Sequence, residues 1–567
     1  MSGRAKLLSM SCHRYRILGL LLALFGTSAI AADRLAAHAI ASAHPLATEA
    51  GFTVLRQGGN AFDAAVAVTA ALAVVEPYSS GLGGGGFWLL HRARDGRNVM
   101  LDGRERAPLA AHRDLYLDAD GQVIPGLSVD GPLAAGIPGV PAALEHLARE
   151  YGLLSLAKSL APAIRLARDG FAIDEHYRRL AGFRLQTLHR YPAGKAQFLV
   201  NGELPSLGFV LRQPDLAVTL EAIARRGAAG FYDGEIAQRL VDGVRAAGGI
   251  WSREDLTLYR VVERAPIQIR YRGYRIMAAS PPSSGGVVLA QILNQLKQLD
   301  LQIRDDITQH HLLIESMRRA YRDRALYLGD PDFVDMPLAR LLSAEYAARL
   351  AGSIDRGRAT PSDQLPGIRP EEEGPHTTHF SILDREGNRV AATLSINYPF
   401  GAGFVPPGTG VLLNDEMDDF SAKPGVPNVY GLIGAEANSI APGKRMLSSM
   451  TPTFVENGQR MAILGTPGGS RIITMVLQGV LSFVAGSDAT DIVTRGRIHH
   501  QYLPDVVQAE PGALSAAEIG SLESMGHKIE VRERTWGNMQ AVTLDRSTGR
   551  IDAASDPRGI GFAQVRP

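Results

Sequence analysis

The sequence predicts an α+β chain in which helical and strand-rich blocks are segregated. Three observations carry this reading: a helix-length apolar run over residues 60–76, a long Ala/Leu/Arg-rich stretch of helical character over 133–263, and a strand-rich pattern from residue 377 onward. Composition agrees: 45% of the 567 residues are hydrophobic and 21% charged, which fits a folded globular chain and excludes a disordered or multi-span membrane protein. Length alone suggests roughly three or four average domains. With 59 basic and 58 acidic residues, the net charge of +1 gives no sign of a nucleic-acid surface.

Taken in order, residues 1–31 read as a secretory signal peptide rather than as fold. Arg4, Lys6, Arg14 and Arg16 precede the apolar run Ile17 to Phe25, and Ala29-Ile30-Ala31 offers a small-residue cleavage site. The run is too short for a stable membrane span. Its removal leaves 55 basic against 58 acidic residues, a net charge of −3, and discards Cys12, the only cysteine. A cysteine-free exported chain suits the periplasm or another oxidising compartment, and leaves no disulfide to join any pieces.

Asn60 to Glu76 reads as a buried helix, capped by Asn60 and with Asp63 in its first turn. Gly81 to Gly86 and a strand over Phe87 to His91 follow. After the helical block, Ile267 to Ala279 alternates like strands, and Val287–Leu301 and Ile307–Leu328 are helical again. Residues 352–376, with Ser, Asp, Pro, Gly and the run Glu371-Glu372-Glu373, read as an exposed, mobile connector.

Several short motifs fail on context. Gly81-x-Gly83-x-x-Gly86 matches the dinucleotide fingerprint, but it lies between a helix and a strand in the wrong order, so a tight backbone approach is the better reading. Ser155-x-x-Lys158 lacks the companion motifs of penicillin-recognising enzymes and sits in an ordinary helix. His310-His311 and His499-His500 have no metal-ligand spacing.

The stretch after the connector carries chemistry. Thr377–Leu383 and Arg389–Ile396 are β-rich around the turn-like Asp384–Asn388, which makes a hairpin. A symmetric register around a five-residue loop sets Thr377 opposite Ser395, their Cβ atoms about 5 Å apart. Asn397, two residues on, returns to the same face. Two hydroxyls and an amide therefore gather at the open end; geometry alone equally allows a polar, exposed edge.

Thr377-Thr378-His379-Phe380-Ser381, Gly387-Asn388, Thr393-Leu394-Ser395-Ile396-Asn397 and Phe400-Gly401 closely resemble the signature of the γ-glutamyltransferases, or glutathione hydrolases. The resemblance continues through Asn414 to Ser421, Ser448-Ser449-Met450-Thr451-Pro452 and Gly465 to Arg471. Upstream it takes in Gly58 to Ala61, Gly81 to Phe87, Arg104 to Pro108 and Asp323-Arg324 with Gly329 to Phe333, so it spans essentially the whole chain after residue 31.

This resemblance implies the four-layer αββα sandwich of the N-terminal nucleophile hydrolases, two stacked antiparallel sheets between helical layers. It implies self-cleavage between His376 and Thr377 into a large subunit (32–376) and a small one (377–567) that together form one catalytic fold. Thr377 is then the nucleophile, its freed α-amino group (pKa near 8) the base. Ser395, where the family usually has threonine, positions that amino group, and Gly468 and Gly469 form the oxyanion hole. Arg104, with Ser448 and Ser449, takes the substrate's α-carboxylate, and Asn397, Glu416 and Asp419 surround its α-ammonium. Tyr430 belongs to a lid over 424–438.

The implied donors are glutathione and other γ-glutamyl compounds, with water, amino acids or peptides as acceptors. No metal or organic cofactor is called for, and neither is a nucleic-acid partner. A glutaryl or cephalosporin acylase on the same fold and a catalytically silent binding homologue are the alternatives.

Overall fold

The computed structural model describes residues 34–299, 306–365 and 377–567. The predicted signal peptide with Cys12, the Glu371–Glu373 run and His376, on one side of the expected cut, lie outside the described residues.

The predicted first helix spans Ala61–Val75, and its ends follow from local chemistry. The Asn60 side chain accepts from the N–H groups of Phe62 and Asp63, while Asp63 Oδ2 accepts from Asn60 N–H at 3.0 Å, a reciprocal cap. All fifteen helical residues are buried, as expected of a helix apolar on every side.

Two antiparallel sheets form the centre. The first runs, edge to edge, Phe562–Arg566, His38–Ser42, Thr378–Leu383, Arg389–Ser395, Gly85–Arg92, Arg97–Gly103 and Val262–Arg264. The second runs Arg550–Ser555, Gln540–Asp545, Arg460–Gly465, Thr453–Glu456, Tyr274–Ala278 and Ile267–Tyr271. Period-two alternation sends opposite faces of the first sheet into different cores. Phe380, Ile382, Ala392 and Leu394 pack outward with the Ala61–Val75 helix. Leu383, Ala391, Phe87 and Leu89 pack inward with Phe454 and Ile463 of the second sheet, whose far side is covered by the helices Gly285–Gln298 and Ile472–Val484. Helix, sheet, sheet, helix is the four-layer order expected.

The hairpin has the predicted register. Arg389 faces Leu383 and Leu394 faces Thr378, so one step further Thr377 faces Ser395. The strands are a residue shorter than read, Thr378–Leu383 and Arg389–Ser395. The exposed-edge alternative is excluded: both strands are buried throughout and lie inside the sheet, flanked by His38–Ser42 and Gly85–Arg92.

The glycine run beside it is a close backbone approach. A Cβ on Gly83 would lie 2.0 Å from the Leu412 carbonyl oxygen, and one on Gly84 2.1 Å from that of Ser395. Ser155 caps the helix Leu156–Asp169 by accepting from Lys158 N–H. The paired histidines are partnered, His311 with His527 and His500 with Asp505.

Over its described part, residues 352–365, the connector is mostly exposed, as read, but it is anchored to the fold at Ala359 and Ser362. Ser362 is fully buried, its N–H donates to Asp505 Oδ2 (2.7 Å), and its hydroxyl accepts from Arg318. Ala359 N–H donates to the Met525 carbonyl at 2.7 Å. Composition marked this stretch as polar; partners more than a hundred residues downstream satisfy its backbone and hold it down.

Candidate active site

Thr377 stands at the mouth of the hairpin, 7% exposed, and borders two cavities. The smaller, about 20 Å³, is lined by Arg104, Ser395, Asn397, Glu416, Asp419, Tyr430, Ser448, Ser449 and Gly469. Almost every residue predicted for the site thus converges on one pocket. Gly468 is the exception: it faces the larger cleft, about 450 Å³, on the other side of Thr377.

Ser395 Oγ accepts from Asn397 N–H at 2.7 Å, which leaves its own proton and a further lone pair for other partners. Asn397 reaches the pocket by a different route from the one predicted. The strand ends at Ser395, and Asn397 has a left-handed backbone (φ +71°), a conformation asparagine tolerates better than most residues. Asp415 holds it there: Asn397 Nδ2 donates to the Asp415 carbonyl (3.0 Å), and Tyr398 N–H donates to Asp415 Oδ1 (2.9 Å).

Gly468 and Gly469 lead through a short 3-10 turn into the helix Ile472–Val484. Their N–H groups lie at a helix start, where backbone donors have no carbonyl within the helix and the dipole favours negative charge. Gly469 has φ +55°, and a Cβ there would lie 2.7 Å from the Tyr430 ring. Tyr430 is buried and donates from its hydroxyl to the Asn397 carbonyl (2.8 Å). Asn428, in the same segment, donates to Asp419 Oδ1 at 3.1 Å. The 424–438 segment therefore roofs the smaller pocket.

Arg104 is fully buried on the pocket wall. Its guanidinium donates to Glu416 Oε2 and Asp419 Oδ2, with Glu105 Oε2 at 3.4 Å. Residues expected to grip opposite ends of a zwitterion thus grip one another, because a buried guanidinium requires anionic partners. Burial opposes the charge on Arg104, but Glu416 and Asp419 outweigh it and hold its pKa up. Burial pushes Glu416 up to about 7, against the pull of Arg104, and pushes Glu105 well above the usual carboxylate range. A ligand carrying one carboxylate and one ammonium matches this wall charge for charge.

Sequence reasoning assigned no role to two buried groups around the two cavities. Arg324 donates to Ser449 Oγ (3.2 Å) and Ser284 Oγ (3.0 Å), which puts a second guanidinium behind the serine pair. Its place in the Asp323-Arg324 motif was the available signal. Glu76, expected only as a helix end, lines the larger cleft and accepts from Thr378 Oγ1 at 2.7 Å. Burial raises its pKa to about 7.

A family model described as Gamma-glutamyltranspeptidase matches residues 47–565. A glutathione hydrolase proenzyme from Pseudomonas sp. (strain A14) is 45% identical over 499 residues, 86% of each chain. The solved cephalosporin acylase from Bacillus halodurans superposes with a TM-score of 0.82 at 30% identity, over 94% of this chain and 96% of that one. The Helicobacter pylori gamma-glutamyltranspeptidase structure aligns at 42% identity with a TM-score of 0.56, over 57% of this chain and 94% of that one.

Proposed function

The chain belongs to the gamma-glutamyltranspeptidase family, and on that premise we propose that Thr377 is the nucleophile of an autoprocessed enzyme that cleaves γ-glutamyl amides, glutathione among them. The observation that carries this is the convergence of Thr377, Ser395 and the Arg104–Glu416–Asp419 cluster on one small, roofed pocket. A threonine hydroxyl needs a base, and cleavage between His376 and Thr377 frees the α-amino group that serves as one. Ser395 orients that amine. Thr377 Oγ attacks the γ-carbonyl, the C–N bond breaks, and the nitrogen leaves with the proton that the amine took from Oγ. Gly468 and Gly469 donate to the oxyanion in between.

Arg104, assisted by Ser448 and Ser449, binds the α-carboxylate, and Glu416, Asp419 and Asn397 bind the α-ammonium. Water resolves the acyl-enzyme in hydrolysis; an amino acid or peptide amine resolves it in transfer. Residues 32–376 and 377–567 remain associated as large and small subunits. Export to the periplasm follows from the leader-like residues 1–31; among the described residues, no helix is long and apolar enough to cross a membrane.

A Thr377→Ala variant tests the assignment. It is expected to stay one chain and to release no product from a γ-glutamyl anilide, while N-terminal sequencing of the wild type finds a chain starting at Thr377. Processing and turnover by the variant would overturn the role. The acylase reading is disfavoured because glutaryl substrates lack the ammonium that Glu416 and Asp419 are built to meet. Comparing γ-glutamyl with glutaryl amides separates the two, with a strong preference for γ-glutamyl expected.

A further inference from the structure

Two buried guanidiniums stand at the smaller pocket, Arg104 in its wall and Arg324 one layer behind, and they are answered differently. Arg104 is matched in place: it donates to Glu416 and Asp419, with Glu105 alongside. Arg324, from the helix Asp306–Tyr327, is 5% exposed and, among the described residues, has no carboxylate in contact. Its acceptors are two hydroxyls: Nε donates to Ser284 Oγ (3.0 Å) and Nη2 to Ser449 Oγ (3.2 Å). Burial pulls its pKa down; Tyr321 and Asp419 pull it back in part, and Asp419 is already in contact with Arg104. A guanidinium keeps its charge at any working pH, and burying one against neutral acceptors alone is costly. The chain nevertheless holds such a cation one hydroxyl away from a pocket that Ser449 lines.

The same bonds organise the serine pair. Ser284 accepts from Arg324 and donates from both its hydroxyl (2.7 Å) and its N–H (2.8 Å) to the Ser448 carbonyl. Arg324 therefore holds Ser448 through Ser284 and Ser449 directly. The Ser449 oxygen is engaged by Arg324, while its proton has no acceptor among the described residues. A hydroxyl that receives a charged donor gives its own proton more strongly.

We propose that Arg324 is a positioning residue for the substrate's α-carboxylate. Without touching the ligand, it fixes the serine pair, leaves the Ser449 proton to the pocket, and supplies a positive charge that only a bound carboxylate completes. Arg104 does not fill this part alone, because Glu416 and Asp419 already answer its charge. The preference for a carboxylate over a neutral carboxamide then depends on a cation that lies behind the contact residues.

This inference rests on the function proposed above, with Ser448 and Ser449 at the α-carboxylate, and the experiment separates the two. Processed wild type, Arg324→Gln, Arg324→Lys and Ser449→Ala are assayed with a γ-glutamyl anilide and with its analogue bearing a carboxamide in place of the α-carboxylate. The readout is the ratio of kcat/KM for the acid donor to that for the amide donor. A merely structural loss lowers both alike and leaves this ratio where it was. Arg324→Gln keeps N–H donors for the hydroxyls but no charge, and its ratio should fall about tenfold, chiefly through the KM of the acid donor. Arg324→Lys keeps the charge, and its ratio should stay within about threefold of wild type. Ser449→Ala removes the hydroxyl between the cation and the ligand, and its ratio should fall about as far as that of Arg324→Gln. A ratio within about twofold of wild type in Arg324→Gln or in Ser449→Ala overturns the assignment while the γ-glutamyl function stands; so does an Arg324→Lys ratio as low as that of Arg324→Gln. If Arg324→Gln does not mature, Arg324→Lys and Ser449→Ala decide by the same limits. If processed wild type turns over neither donor, the function itself fails and the inference falls with it.

Discussion

The two cavities that meet at Thr377 are built on opposite principles. The smaller is roofed by Tyr430 and walled by a buried Arg104 whose charge is matched by Glu416 and Asp419. The larger is about 450 Å³, has the buried Glu76 carboxyl in its wall, and is lined by two exposed cations, Arg179 and Arg534. Charges held in a dry, preorganised wall discriminate strongly, since a ligand must replace the contacts Arg104, Glu416 and Asp419 already make with one another by equally good ones of its own. Charges at a solvated rim discriminate weakly. On the function proposed above, one side of the scissile bond is therefore read stringently and the other permissively.

The largest effect belongs to the stringent side. Arg104→Ala leaves Glu105, Glu416 and Asp419 without their cation, and kcat/KM for a γ-glutamyl anilide should fall by about a hundredfold or more, with a stability loss of about 3–5 kcal/mol in chemical denaturation. A loss below about threefold would erase the contrast between the cavities.

Next comes Gly469→Ala, which places a Cβ in left-handed backbone against Tyr430. It should slow acylation about tenfold or more through a displaced oxyanion donor, with a modest change in KM. A pure KM effect would instead indicate that the roof, not the oxyanion site, had moved.

At Glu76 the readout is stability against pH, and the effect is confined to one pH window. Its folded pKa is raised from 4.5 to about 7 by burial, so the folded state holds a proton that the unfolded chain releases. Stability contributed by the neutral carboxyl is complete below pH 4.5 and is lost as pH rises towards 7, at up to about 1.4 kcal/mol per pH unit. Glu76→Gln keeps an acceptor for Thr378 and removes this slope, so the variant should gain on wild type as pH rises through that window. Parallel stability curves from pH 4.5 to 7 would show that Glu76 titrates normally.

Legibility followed the range of the interactions. The hairpin register was readable because a five-residue loop sets it locally: Leu394 faces Thr378 as counted, and Thr377 and Ser395 line one pocket. Asn397 was placed in the right pocket by a wrong route, since strand alternation says nothing about the left-handed turn that Asp415 stabilises. Arg104 and its acids were found through family motifs, but their mutual pairing was not foreseen: Arg104 and Glu416 are 312 residues apart in the chain. Glu76 escaped because a carboxyl at a helix end looks like an ordinary cap until its burial beside Thr378 is known.

By itself the sequence determined the local pieces: the Asn60-capped helix, the Asp384–Asn388 turn, the glycines that let backbone meet backbone, and the position of Thr377 at the mouth of a hairpin. Each depends on hydrogen bonds and steric limits within a few residues. Only the tertiary structure decided that His38–Ser42 lies between Thr378–Leu383 and Phe562–Arg566, and that Thr453–Glu456 pairs with Tyr274–Ala278. Strands from both sides of the expected cut are thereby woven into both sheets, held by hydrogen bonds and buried apolar surface. The physical reason is that sheet neighbours and buried charge partners are selected by how faces pack in three dimensions, and no local spacing encodes that choice.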